Sequence, residues 1–463
     1  METMGTCARA RSYLHTFRPQ MSKDASQVAL LRRFFFNDLV ALQFGLDATL
    51  YLPTVYAFAA TLERNVPYYV SLTQLLPAAV QVVVSLMIGP IVGMLGSSLK
   101  WPTVVLVAMC AIGNFVYSCA GEHAIGSVWA LIGGRMVCGL ASGASSLSMA
   151  YLSVSTTAAE RLPAFSAYRT IMGMALVMGP LLSIPLTTFA FDVGEYRVDG
   201  TNAPTFVAAA VAAMVTGITA IYIKERKAAK VDFVKIVAER GSMEWTSPAI
   251  CLAVMFLSSF LMADTMYLLS VMLTAPEQWS LGLTLASGLQ AIVFGVSLLA
   301  SLFVESVRGW IGRVTKWREA RDGNEGYTAA DQEIVLSLAS FAATVLGLVL
   351  VIVGIQVHST SSLAAFLIGA TMMMASYNVQ ASTLPSLYSK CIPGKMRVVF
   401  TPWYAAMVAA GKLAAPPSVH AVGQARGWIA SQILCIGLSV LAGVILIAGR
   451  KSLSTGVSSN KSS

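Results

Sequence analysis

Twelve apolar runs govern what this chain can fold into. They lie near residues 34–61, 67–95, 102–119, 127–155, 165–190 and 205–223. After a charged break they recur near 248–273, 280–304, 334–356, 362–388, 399–420 and 427–449. Each is long enough to cross the ~30 Å hydrocarbon layer of a bilayer as a helix. No water in that layer satisfies a backbone amide, so such a segment closes its own hydrogen bonds as an α-helix. Only 11% of the residues are charged and 56% are hydrophobic, where a soluble domain carries about 25% charged. The expected fold is an all-α integral membrane protein with twelve transmembrane helices in two six-helix halves. The boundaries read as a basic tail (1–33), one half (34–223), a cytoplasmic linker (224–247), the second half (248–449) and a polar disordered tail (450–463).

Charge sets the orientation. With the N-terminus inside, 26 of the 31 lysines and arginines fall in cytoplasmic segments and three, Arg64, Arg197 and Arg426, fall outside. That asymmetry is a strong positive-inside signal and puts both termini in the cytoplasm. It also assigns the net charge of +9 to lipid headgroups rather than nucleic acid. Val231, Phe233, Val234, Ile236 and Val237 give the linker an apolar side among basic residues, as a helix lying on the membrane surface has. Residues 1–33 lack the apolar core of a secretory signal, while an organelle-targeting peptide within the arginine-bearing first 20 stays open.

The halves echo one another. "TLYLPTV" (49–55) returns as "TMYLLSV" (265–271), and sliding 49–96 onto 265–312 without a gap gives 12 identities in 48 positions, where shuffled residues give roughly 4. Tyr51 falls on Tyr267, Gln74 on Gln290, Gly93 on Gly309 and Gly96 on Gly312.

Three motifs ride on this frame. "GPIVGMLGSS" (89–98) follows span two, "GGRMVCGLASG" lies in span four with Arg135 and Gly139, and "GMALVMGP" in span five ends on Gly179 and Pro180. With the parallel repeat and both termini inside, they make the chain resemble the major facilitator superfamily. That resemblance implies alternating access and a cavity lined by spans one, four, seven and ten. The family's loop after span two carries an aspartate and a basic pair. Here Gly93, Ser97 and Ser98 stand in those places, so the usual charged latch is missing, while Gly89, Gly93 and Gly96 suit its tight turn. The span-five motif resembles the family's antiporter type. Residues 134–161 and 387–417 look closest to the subgroup of SPX-associated vacuolar transporters and the lysosomal ceroid-lipofuscinosis protein, which implies an endosomal, lysosomal or vacuolar membrane. The plasma membrane and an organelle envelope are the alternatives.

Four ionisable residues fall well inside apolar runs: Asp47, Arg135, Asp264 and Lys412. Unpaired at mid-membrane they cost together about 10 kcal/mol on insertion scales, so pairing or a wet cavity is expected. Asp47 can meet Arg135 in the first half and Asp264 can meet Lys412 in the second, as a titratable acid beside an anion-binding cation or as plain structural pairs. Asp47 maps onto Ala263, one place before Asp264, so the acids differ by about 100° of helix turn. Gln74, Gln290, Tyr51, Tyr267, Tyr377 and Asn378 are candidate cavity contacts that serve equally for bonding between helices. Gly93, Gly96, Gly179, Pro180, Gly309, Gly312 and Pro416 are the candidate gating and hinge positions, with packing kinks the alternative.

The leading expectation is a secondary active transporter of a small or anionic solute, with proton or ion coupling at the acids. An anion channel on the same scaffold and a non-transporting sensor or assembly partner are the alternatives. No nucleophile-and-base arrangement or phosphate loop marks an enzyme, and the scattered cysteines and histidines mark no metal or cofactor site. The expected partners are the solute, protons and membrane lipid, with the chain acting as a monomer and no nucleic acid involved.

Overall fold

The computed structural model describes residues 35, 37–63, 66–95, 99–121, 124–157, 160–193, 196–222, 245–274, 279, 281–322, 329–357, 360–393 and 396–459. Eleven helices among these are long and apolar enough to cross a membrane. They are spans two to twelve: Val66–Leu95, Lys100–Ser118, Val128–Ala141 continued by Gly143–Ser155, Arg161–Leu186, Ala203–Tyr222, Thr246–Thr274, Leu283–Asp322, Ala329–Val357, Thr360–Cys391, Arg397–Arg426 and Trp428–Ser459. Span one is divided into a helix over 37–49, a turn over 50–54, and the helix Val55–Leu62. The all-α membrane architecture expected from the apolar runs is therefore the observed one.

The division of span one falls on "TLYLPTV", whereas "TMYLLSV" is unbroken helix within span seven. Pro53 in the first copy stands where the second has Leu269. A proline lacks the amide that would bond four residues back, and its ring crowds the carbonyl there. The chain answers with turn bonds from the Thr54 and Val55 amides to the Tyr51 carbonyl. This leaves the Leu50 carbonyl without its helical partner, and the Ser183 hydroxyl of span five donates to it at 2.7 Å. Span five can come so close because Gly179 has no side chain: a Cβ there would collide with Thr49.

The membrane-facing surface follows helical periodicity. Val83, Met87, Ile91 and Met94 form an exposed stripe on span two, apolar in a way only lipid accommodates. Between the halves, span two packs along span eleven and span five along span eight, and spans four and ten also cross the interface. At the end assigned to the cytoplasm the halves touch. Gly89 lies against the Val398 and Val399 carbonyls, Thr401 donates to Ser153 at 3.4 Å, and Arg161 donates to the Ser389 carbonyl at 3.2 Å. Beside them Lys390 is ion-paired with the fully buried Glu333, which also accepts from Ser386.

Several expectations are corrected. Gly89 and Gly93 lie inside span two, which runs helical to Leu95, rather than in a tight turn. Gly309 and Gly312 lie in the continuous 40-residue helix of span eight, with no break to mark a hinge. Residues 450–459 are not a disordered tail but the last turns of span twelve. They are held by Arg450 on Asp331, by Ser247 donating to the Ser452 carbonyl, and by the buried Leu453. A two-stranded antiparallel hairpin, Phe191–Val193 with Tyr196–Val198, joins spans five and six, pairing Asp192 with Arg197. Gly96, the tail 1–33 and the linker helix expected over 224–247 lie outside the described residues, apart from 245 onward.

Candidate functional site: a buried ion pair on an interfacial cavity

Asp47 occupies the last turn of the helix over 37–49, just before the Pro53 break. Span four carries Arg135 to the same depth, with Nη1 3.0 Å from Oδ1 and Nη2 3.4 Å from Oδ2 of Asp47. Asn114 of span three donates to the same Oδ1 at 2.6 Å. The turn after Asp47 lays the Tyr51 ring under the guanidinium, 4.0 Å from its carbon to the ring centroid, and Tyr117 meets Tyr51 edge-on. Asp47 and Arg135 are 6% and 5% exposed, so the pair sits where water screens little. A two-pronged Arg–carboxylate contact with an added amide donor fixes the geometry of the pair. The helix break is thus part of the site, since an unbroken span one would carry Tyr51 elsewhere.

The Asp47 carboxylate and the Cys110 and Cys138 thiols lie within 4.8 Å of one another, the one grouping of metal-ligand type among the described residues. Its members already have partners. Arg135 and Asn114 hold Asp47, and Gln43 and Asn114 donate to the Cys110 sulfur. The cation beside this carboxylate is supplied by the chain itself.

This pair faces a cavity of about 160 Å³ between the halves, lined among others by Asp47, Tyr51, Gln74, Arg135, Lys412 and Pro416. Ordinary small-molecule sites measure ~300–1,000 Å³, so this space is smaller than a solute of common size needs. A smaller space of about 40 Å³ adjoins it, lined by Arg169, Tyr377, Asn378 and Lys412 among others.

The structure brings some of the sequence-derived candidates together and separates others. Asp47 and Arg135 pair. Asp264 and Lys412 do not: Asp264 is fully buried behind the cavity wall, facing Gln432 at 3.4 Å and Cys435 at 3.5 Å of span twelve. Lys412 points instead to the cavities, while on span seven it is Ala263, the position equivalent to Asp47, that lines the larger one, and Asp264 is turned about 100° away from it. Gln74 lines the larger cavity, while Gln290 is buried away from it with neither side-chain polar atom partnered. Tyr51 joins the ion pair, whereas Tyr267 bonds to His420 at 3.0 Å. Tyr377 and Asn378 line the smaller space, and Asn378 donates to the Ser297 carbonyl at 3.1 Å. Gly179 packs span five against the break, Pro180 follows it within the same helix, and Pro416 lines the larger cavity.

Sequence reading missed Arg169, Glu333 and Lys390. All three lie at or near the edges of apolar runs, where Arg169 and Lys390 were counted with the cytoplasmic loops, yet they are 7%, 0% and 6% exposed. A signal for Arg169 existed in "AYRTIMG", a lone cation four residues into an apolar run.

Comparison with known proteins agrees with this architecture. No family model matches the chain. It is 27% identical over 427 residues to the MFS-type transporter PUL3 of Kluyveromyces lactis, covering 86% of this chain and 92% of that one. It is 24% identical over 317 residues, 61% of this chain and 91% of the other, to the uncharacterized membrane protein YNR062C of Saccharomyces cerevisiae. Among solved structures it resembles the human organic anion transporter MFSD10 (TM-score 0.65, 15% identity, 90% of this chain and 99% of that one). It also resembles the E. coli fucose:proton symporter FucP (TM-score 0.61, 11% identity, 90% and 98%). The fold is that of a major facilitator transporter. The likeness to an MFS-type transporter supports that superfamily, a secondary-transport function with a small-molecule substrate, and a class that is not enzymatic.

Proposed function

We propose that this protein carries a small solute across a membrane by alternating access, with Asp47 as the proton-coupling carboxylate. The observation that supports the reading best is the Asp47–Arg135–Asn114 cluster, buried yet forming the wall of a cavity between two halves. Opening the cavity wets one side of the pair. A carboxylate that alternates between a guanidinium and a proton links the state of the cavity to proton movement. Asp264, held by neutral partners away from the cavity, is set aside from the coupling. The structural neighbours' names fit a solute carrier and, in one case, proton coupling. The finer placement, with the SPX-associated and ceroid-lipofuscinosis subgroup and hence in an endosomal, lysosomal or vacuolar membrane, rests on residues 134–161 and 387–417, and the chain is proposed to act as a monomer.

The test is solute uptake by purified protein in liposomes, with and without an imposed pH gradient. Saturable uptake that the gradient accelerates, and that Asp47→Asn renders insensitive to it, supports the reading. Gradient-insensitive uptake by the wild type removes Asp47 from coupling, and ohmic anion current in place of saturable uptake replaces the carrier by a channel.

A further inference from the structure

Among the described residues, two cations that line the smaller cavity, Arg169 and Lys412, have no carboxylate partner. Arg169 of span five is 7% exposed, its Nε has no partner, its Nη1 meets the Met172 sulfur at 3.4 Å, and its other hydrogen-bond contacts are the neutral hydroxyls of Tyr377 and Tyr404. The groups around it are Tyr168, Tyr377 and Tyr404, and no carboxylate is among them. Asp38 reaches Tyr168 but is not one of the groups acting on Arg169. Lys412 of span eleven lines both cavities, and the charge acting on it is Arg169, a like charge. The ion pairs among the described residues engage Arg135, Lys390 and Arg450 instead. A chain that neutralises Arg135 with Asp47 a short way off has left these two cations uncompensated on a shared cavity wall. Buried charge without a partner is expensive, so the arrangement calls for a counter-ion from outside the chain.

Resting on the transporter reading, we infer that Arg169 and Lys412 form the binding subsite for the oxyanion head of a small organic-anion substrate. Arg169 offers a planar fork suited to a carboxylate or phosphate, and Lys412 adds a point charge. Ser145 and Asn378 edge the same space, and Met149, Met172 and Met262 supply soft apolar walls that adapt to the rest of the molecule. The two cavities share Gln81, Ser145, Met172, Met262 and Lys412. A head in the smaller space therefore leaves its body in the larger one, against Tyr51 and the Asp47–Arg135 pair. Arg169 belongs to the first half and Lys412 to the second. An anion between them neutralises two mutually repelling cations and draws the halves together, so the substrate itself favours the closed state.

The experiment follows the melting of the detergent-solubilised full chain with benzoate, phenyl phosphate, benzamide, benzylammonium or sodium chloride at matched ionic strength. Benzoate or phenyl phosphate is expected to raise the melting temperature, and the other three are not. Arg169→Gln and Lys412→Gln are expected to weaken that binding by about tenfold or more while melting no lower than wild type without ligand, because each removes an unpaired cation. Arg169→Lys keeps the charge, loses the fork and falls between. Equal protection by benzamide, protection by chloride alone, no protection by either anion, or wild-type binding in both Gln variants overturns the subsite. Liposome flux separates this inference from the reading beneath it. An anion that binds but is moved by no gradient leaves the subsite and removes the carrier, whereas flux of benzamide or benzylammonium without anion flux does the reverse.

Discussion

Asp47→Asn should uncouple transport from pH at a definite cost in stability. Asparagine keeps the shape of the side chain, and its carbonyl oxygen still accepts from Asn114, which donates at 2.6 Å in the native protein. What is lost is the negative charge under two guanidinium contacts, at 3.0 and 3.4 Å, with side chains only 7% and 8% exposed. Removing one partner of such a pair costs ~3–5 kcal/mol because the other charge is stranded. Here the Tyr51 ring remains under Arg135 at 4.0 Å and retains ~1–2 kcal/mol of cation–π attraction. The single variant should therefore lose about 3 kcal/mol, and adding Arg135→Gln, which removes the stranded charge, should bring it back to within about 1 kcal/mol of wild type. Unfolding in mixed micelles at graded denaturing detergent gives the stabilities, and liposome flux at several external pH values gives the coupling. A single variant as stable as wild type, or a double variant no better than the single, refutes the ion-pair reasoning.

Pro53→Leu gives the first copy the leucine of the second; it should extend the span-one helix, raise stability by up to ~3 kcal/mol through the restored helical bond, and lower flux by displacing Tyr51. Melting and flux measured together check it, and unchanged flux would separate the break from the site. Gly89→Leu places a side chain on the Val398 and Val399 carbonyls and should loosen the cytoplasmic closure. Alkylation of Cys391, only 4% exposed, by a water-soluble maleimide then accelerates, as site-resolved mass spectrometry would record. Asp264→Asn should change stability by no more than about 1 kcal/mol and leave coupled flux intact, since Gln432 and Cys435 offer no charge for it to balance.

The architecture was legible because membrane spans announce themselves locally: each apolar run states its own helix, whatever its neighbours do. The Asp47–Arg135 pair was legible for a related reason, since a charge inside hydrocarbon needs a partner and few were on offer. The C-terminal half shows where this logic stops. Asp264 and Lys412 lie on spans that pack together, yet a carboxylate can be satisfied by neutral donors such as Gln432 and Cys435, and no pattern of charges reveals that choice. Arg169 escaped because hydropathy windows blur the ends of spans. A cation four residues inside looks like one four residues outside until the neighbouring helices bury it. The repeat told less about conformation than about ancestry of pattern: one substitution, Pro53 against Leu269, turned the same phrase into a break in one half and a helix in the other.

The central claim is alternating access, and counterflow measures it most directly. Liposomes holding the protein are preloaded with an unlabelled solute that protects it from melting, benzoate or phenyl phosphate, and uptake of the labelled solute from outside is followed. A carrier whose empty return is slower than its loaded return takes up label faster into preloaded vesicles and shows a transient overshoot above equilibrium. That overshoot is expected in the wild type, lost in Arg169→Gln and Lys412→Gln and retained in Asp47→Asn. Uptake indifferent to preloading and rising linearly with solute concentration would contradict it.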